Sequence, residues 1–167
     1  HDCQLAPAAT KTVIEGMSQN APSARDTRHA LPMALLRARE AVMTRFRPML
    51  AAHDINEQQW RVIRVLGEVD SLDATEVAVR ANILAPSLTR MIKAMTERGL
   101  ISRARDASDG RRVILSIAPE GRALLGLVAP DSTAIYQQLE TDYGAARTAQ
   151  LVEMLIALAD LAEPKAD

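Results

Sequence analysis

The sequence predicts a mostly α-helical protein with one small β-hairpin in its second half. Hydrophobic residues make up 48% of the 167-residue chain and aromatic ones only 2%, so the core must be built from Leu, Ile, Val, Met and Ala, the composition of packed helices. Apolar residues recur at three- and four-residue spacing through most of residues 31–161. Between 101 and 118 that period gives way to alternation on either side of a Gly-containing turn. The length suits one domain or two closely packed subdomains.

Residues 1–28 are rich in Ala, Pro, Ser, Thr and Asn and show little periodicity. They read as a flexible arm or an appended segment, with Met17 available as a natural start and a short helix at Lys11–Met17. A first long helix begins at Leu31, with Met33, Leu35, Leu36, Val42, Met43, Phe46, Met49 and Leu50 at helical spacing; Pro48 should kink it or end its regular part. Asn56 with Gln59 three positions later forms a capping-box pattern. It opens a helix carrying Trp60, Ile63, Val65 and Leu66 that ends near Gly67. A polar joint (Asp70, Ser71, Asp73) leads to a short helix at Ala74–Ala81, and Asn82-Ile83-Leu84 breaks it.

The next helix starts near Pro86, a residue that needs no amide donor in a first turn, and Gly99 closes it. Ile101–Arg105 and Val113–Ala118 alternate as two strands. Pro119 starts another helix, with Leu124, Leu125, Val128, Ile135 and Leu139 inward and a bend at Pro130. The last helix, Ala145–Ala162, carries Leu151, Met154, Leu155, Leu158 and Leu161 on one stripe. The middle of the chain is therefore a helix-turn-helix followed by a hairpin, a winged helix.

The net charge of −1 hides an asymmetry. Residues 74–112 hold eight Lys or Arg against four acids, leaving −5 for the rest. A basic block in an otherwise acidic chain is a footprint for a polyanion, although a solvated surface carries such charge too. Within the block, Leu88, Met91, Ile92 and Met95 share one face of the helix. Pro86, Arg90 and Lys93 fall opposite, flanked by Ser87 and Thr89. Two cations and two hydroxyls near a helix N-terminus suit a DNA major groove: hydroxyls and amides for phosphates, Arg90 for a guanine edge, Lys93 for the backbone. An ordinary amphipathic surface helix has the same pattern.

The hairpin, RARDASDGRRVILSI at 103–117, adds to this. A turn that only joined two strands would not need Arg105, Arg111 and Arg112. A protruding arginine at its tip can enter a minor groove, with Asp109 bracing it as an ion-pair partner.

These segments resemble the MarR family of bacterial winged-helix regulators over about Leu31–Leu161. The signatures are INEQQWRVIRVL (55–66), ANILAPSLTRMIKAMTERGLISR (81–103) and RDASDGRRVILSIAPEGRALL (105–125), with Asp109 and Arg111 as the family's Asp-x-Arg of the wing. The departure is Ala118, where the family usually has a Thr that caps the next helix. The resemblance implies an obligate homodimer with interleaved first and last helices, bound to a palindromic operator in double-stranded DNA. It divides the chain into an arm (1–28), a helical dimerisation domain (29–54 and 119–162), a DNA-binding domain (55–118) and a tail (163–167).

More narrowly, ALLRAREAVMTRFRPML (34–50), EQQWRVIRVL and NILAPSLT are similar to regulators of homoprotocatechuate (4-hydroxyphenylacetate) degradation operons. That implies a repressor released by a small aromatic acid. Such a ligand needs an apolar wall and a cation for its carboxylate. Trp60, Arg39 and Arg64 are the candidates, with His53 as a phenol partner. Each has a plainer reading: Trp60 as core, the two arginines as surface or interface ion pairs, His53 as a helix-end residue.

Other functions find less support. No Ser/His/Asp spacing, glycine-rich phosphate loop or HExxH motif suggests an enzyme, and no cofactor or metal is expected. The lone Cys3 excludes an internal disulfide and a Cys-based zinc site; another phenolic or xenobiotic ligand, or oxidation at Cys3, stands as the alternative control. A protein-interaction module would also explain the Leu-rich terminal helices. No apolar run reaches the roughly 20 residues of a membrane span and no signal peptide shows, so a cytoplasmic protein is expected.

Overall fold

The structure, a computed structural model, describes Thr27 and residues 29–161. Among them the chain forms six helices and three strands: α1 (Leu31–Ala51), α2 (Glu57–Gly67), β1 (Leu72–Asp73), α3 (Ala74–Arg80), α4 (Ala85–Glu97), β2 (Ile101–Arg105), β3 (Val113–Ile117), α5 (Pro119–Tyr143) and α6 (Ala145–Asp160). The expected mostly α winged helix-turn-helix is present. The arm, the helix expected at Lys11–Met17 and Cys3 lie outside the described residues.

The chain divides within α1 into two units, residues 1–40 and 41–167. In the first, Leu31, Met33 and Leu36 of α1 are exposed. The second holds the core. Phe46, Met49 and Leu50 from the end of α1 are buried there with Trp60, Val62, Ile63 and Leu66 of α2, Val77 of α3, Leu88, Ile92 and Met95 of α4, and Leu115 of β3. Leu124 and Val128 bring α5 into the same cluster.

Helix α2 starts as its sequence dictates. Asn56 Oδ1 accepts from the Gln59 backbone N–H at 2.9 Å, and Gln59 Oε1 accepts from the Asn56 N–H at 3.0 Å. Two amides that the helix cannot satisfy internally are thereby paired. Helix α4 ends equally legibly. Gly99 takes φ +67°, its N–H donates to Thr96 O at 3.0 Å and the Leu100 N–H to Met95 O at 3.0 Å, the paired closure that glycine permits without a Cβ clash.

Two features differ from the sequence expectation. First, α1 runs through Pro48 to Ala51. A proline removes only one amide donor, and the chain leaves the helix within one turn after it. Second, the polar joint contains a strand. Leu72 and Asp73 pair antiparallel with Leu115 and Ile114, so the sheet order is β1-β3-β2. Helix α5 is the one long stretch from Pro119 that the sequence expects, 25 residues with Pro130 inside it.

Ala118 is the N-cap of α5 and offers no side-chain cap. Its N–H is occupied, donating to Leu100 O at 3.1 Å. The first turn of α5 approaches the same carbonyl so closely that a Cβ on Gly121 would sit 2.1 Å from Leu100 O, which leaves room only for glycine. Restoring an N-cap hydroxyl by Ala118→Thr should stabilise the domain by about 1 kcal/mol. Thermal unfolding checks this; an unchanged or lower midpoint would show that α5 needs no cap.

Candidate nucleic-acid interface and effector cleft

The helix-turn-helix is α3, the turn Ala81–Leu84 and α4. Asn82 turns the chain with φ +49°, a conformation Asn tolerates better than most residues. Arg61 of α2 donates from Nη2 to the Asn82 carbonyl at 3.4 Å, and Ile83 is buried below. This fixes α4 so that Leu88, Ile92 and Met95 are buried and Met91 half-buried, while Pro86, Thr89, Arg90 and Lys93 are exposed. Ser87 is half-buried on the flank.

The exposed face is only lightly self-paired. Arg90 Nε donates to Pro86 O at 3.3 Å and its Nη2 to Ser87 Oγ at 3.4 Å. Lys93 lies 3.9 Å from Glu97, with 84% and 65% of the two side chains exposed, a pair too solvated to hold the lysine back from a phosphate. No side chain caps the N-terminus of α4; Pro86 has no amide to satisfy, and the Ser87 and Leu88 N–H groups both donate to the Leu84 carbonyl, at 2.9 and 3.1 Å.

The wing turn is built around Asp106. Its Oδ1 accepts from the Ser108 hydroxyl, from the Ser108 N–H at 2.7 Å and from the Asp109 N–H at 3.0 Å. The Ser108 hydroxyl, then the Asp109 and Ser108 amides, hold this carboxyl well below the usual carboxylate range, at about 2. The bracing expected of Asp109 takes a different form. Its Oδ1 accepts from the backbone N–H of Arg111 at 3.0 Å, not from a guanidinium. The arginine held by a carboxylate is Arg112, whose Nε donates to Asp73 Oδ2 at 3.0 Å. The reason is β1, which places Asp73 beside the wing base. The Thr75 backbone N–H, then Arg112, lower the Asp73 carboxyl from its ordinary value. Arg105 and Arg111 are exposed and have no ion-pair partner among the described residues.

A cleft of about 290 Å³ opens between α2 and α5, lined by Trp60, Arg64, Leu125, Val128, Ser132 and Tyr136 among others. It unites two of the four expected effector residues. Trp60 serves both readings made of it: it is buried at 9% exposure in the core and forms a wall of the cleft. Arg64 is exposed at the cleft. His53 is not in the lining; it sits in the turn after α1, where its carbonyl accepts from Arg98 Nη2 at 3.3 Å. Arg39 is on the exposed N-terminal part of α1. The hydroxyls of Ser132, Thr133 and Tyr136 in the lining escaped sequence reasoning. Their signal was their spacing on α5, which puts them on one face, and Tyr136 is further fixed by an edge-to-face contact with Phe46 at 5.2 Å.

Among the described residues no helix is long and apolar enough to cross a membrane. None of the α6 side chains is buried, and Val152, Met154, Ile156 and Leu158 are exposed.

The profile of the MarR family matches residues 53–112. The homoprotocatechuate degradative operon repressor of Escherichia coli is 40% identical over 126 residues, which cover 75% of this chain and 85% of that repressor. Among solved structures, NadR in complex with 4-hydroxyphenylacetate superposes with a TM-score of 0.71 and 35% identity, over 86% of this chain and 98% of NadR. The transcriptional repressor CouR, solved on a 23-mer DNA duplex, superposes with a TM-score of 0.71 and 31% identity, over 77% of this chain and 92% of CouR. With its helix-turn-helix, its arginine-bearing wing and these relatives, the chain belongs to the MarR family of transcriptional regulators.

Proposed function

We propose that the chain is a homodimeric repressor of an aromatic-acid catabolic operon, released from a palindromic operator by a small aromatic acid such as 4-hydroxyphenylacetate or homoprotocatechuate. The observation that carries this reading is the α2–α5 cleft of about 290 Å³, lined by an indole, a cationic side chain and three hydroxyl-bearing side chains, of which Thr133 donates its proton to the Ala129 carbonyl at 2.8 Å. That volume is near the lower end of small-ligand pockets, about 300 Å³, and suits one substituted benzene ring. Arg64 would take the carboxylate, Trp60 the ring, and the hydroxyls of Ser132, Thr133 and Tyr136 the phenol. Relatives named for homoprotocatechuate degradation and solved with 4-hydroxyphenylacetate support the ligand class.

Trp60 is the only tryptophan, so its fluorescence reports this cleft directly. Titration with 4-hydroxyphenylacetate should change the emission saturably, and Arg64→Ala should weaken binding. Arg39→Ala and His53→Ala test the two remaining candidates in the same titration. No saturable change with any phenolic acid would sink the effector assignment and favour control by oxidation.

The reading of DNA falls to residues 55–118, and dimerisation to 29–54 and 119–162. The unburied apolar face of α6 supports this division, because one copy leaves it uncovered and a twofold partner would bury it. On the DNA, Pro86, Ser87 and Thr89 position the helix, Arg90 reads a base edge and Lys93 binds the backbone. Arg105, Arg111 and Arg112 follow the minor groove, with Asp109 shaping the tip. Arg90→Ala should therefore relax preference at one symmetric pair of base positions, while Lys93→Ala weakens all sequences alike. Binding to a panel of single-base variants checks the split. A uniform loss in both mutants refutes it.

A further inference from the structure

Leu84 occupies a position that neither capping nor burial explains. It is the N-cap of α4, a position where Ser, Thr, Asp or Asn is preferred and leucine is disfavoured. It is also 77% exposed, so it gains little from packing. Val79 of α3 is 66% exposed. Both line a groove of about 490 Å³ with Ala78, Ile83, Ala85 and Asn82. The groove carries no charged side chain in its lining, yet two of its lining residues, Val79 and Ala85, are followed directly in the chain by Arg80 and by Pro86, where the exposed face of α4 begins. An apolar groove at the start of a helix that carries a cationic face suits the one apolar group a DNA major groove presents, the thymine 5-methyl.

We infer that Leu84, backed by Val79, is a specificity-determining residue that packs against a thymine methyl beside the base read by Arg90. The inference rests on the DNA-binding reading above and extends it from polar to apolar recognition. Leucine here places a hydrophobic surface at the base edge. A serine would improve the helix and lose the methyl contact.

The test uses the full chain and a duplex enriched from a randomised pool. Replacing thymine by deoxyuridine deletes only the methyl. At one symmetric pair of positions the swap should weaken wild-type binding about fourfold per half-site, the equivalent of about 0.8 kcal/mol for one buried methyl-sized group. Leu84→Ala should bind the thymine duplex more weakly and be indifferent to the swap, whereas Leu84→Met should keep the preference. Leu84→Ser should melt at the same or a higher temperature while losing it. A wild type that binds duplexes but ignores every thymine methyl overturns the inference alone, as does a Leu84→Ala chain that keeps the full preference. A Leu84→Ser chain that melts well below wild type makes Leu84 a packing residue and overturns it too. A wild type that binds no duplex takes down the DNA reading with it.

Discussion

Raising the salt concentration from 50 to 200 mM should lower operator affinity by about 10³–10⁴-fold. Each phosphate neutralised by a cation releases counterions and contributes about −0.9 to the log–log slope. Lys93, Arg105, Arg111 and Arg112 are exposed on α4 and the wing, so a twofold dimer would make roughly six to eight such contacts. The net charge of −1 does not oppose this, because the screening length of about 10 Å at 0.1 M salt lets the DNA sense the basic segment and not the distant acids. Arg111→Ala should reduce the slope by close to two, one contact per protomer, and cost about 1–3 kcal/mol per site. Thermal stability should barely change, since Arg111 is exposed and unpaired among the described residues. Filter-binding or anisotropy titrations over this salt range decide it. A slope near zero would remove DNA as the partner of the basic segment, and an Arg111→Ala chain that unfolds would make the tip structural.

What was legible in the sequence was what short-range chemistry decides. The Asn56/Gln59 box and the closure at Gly99 each depend on side chains and backbone within four residues, and both stand where the sequence places them. The inward face of α4 follows from helical period alone. What was not legible depends on long-range pairing. Leu72 and Asp73 look like a polar joint, and only β3, about forty residues on, makes them a strand. The same pairing diverts Arg112 to Asp73 and leaves Asp109 with a backbone amide, so the brace at the wing could be anticipated in kind but not in partner. Ser132 and Thr133 read as ordinary surface positions of a long helix. They become cleft residues only because α5 packs on α2, which also leaves His53 outside the lining.

Operator DNA should weaken 4-hydroxyphenylacetate binding by about 100-fold, which corresponds to roughly 2.7 kcal/mol of coupling between the two sites. The route is visible in α2. Trp60 and Arg64 face the cleft, and the intervening turn carries Arg61, whose guanidinium donates to the Asn82 carbonyl at 3.4 Å, at the turn that sets the start of α4. A ligand that shifts α2 against α5 therefore moves the support of the recognition helix. In a twofold dimer two such helices must lie about 34–36 Å apart to enter successive major grooves, so a small displacement in each copy changes the spacing the operator requires. A ligand can shift that equilibrium only by its difference in affinity for the two arrangements. Reciprocity then demands that the operator discriminate against the ligand by the same factor by which the ligand discriminates against the operator. Calorimetric titration of 4-hydroxyphenylacetate into the protein, with and without a saturating operator duplex, measures the first factor; anisotropy with and without the acid measures the second. Arg61→Ala should shrink both together and leave binding of the acid to the free protein nearly unchanged. Equal affinities with and without operator, for an acid that does bind the cleft, would disconnect the cleft from the DNA-binding surface and leave oxidation or a different ligand as the means of release.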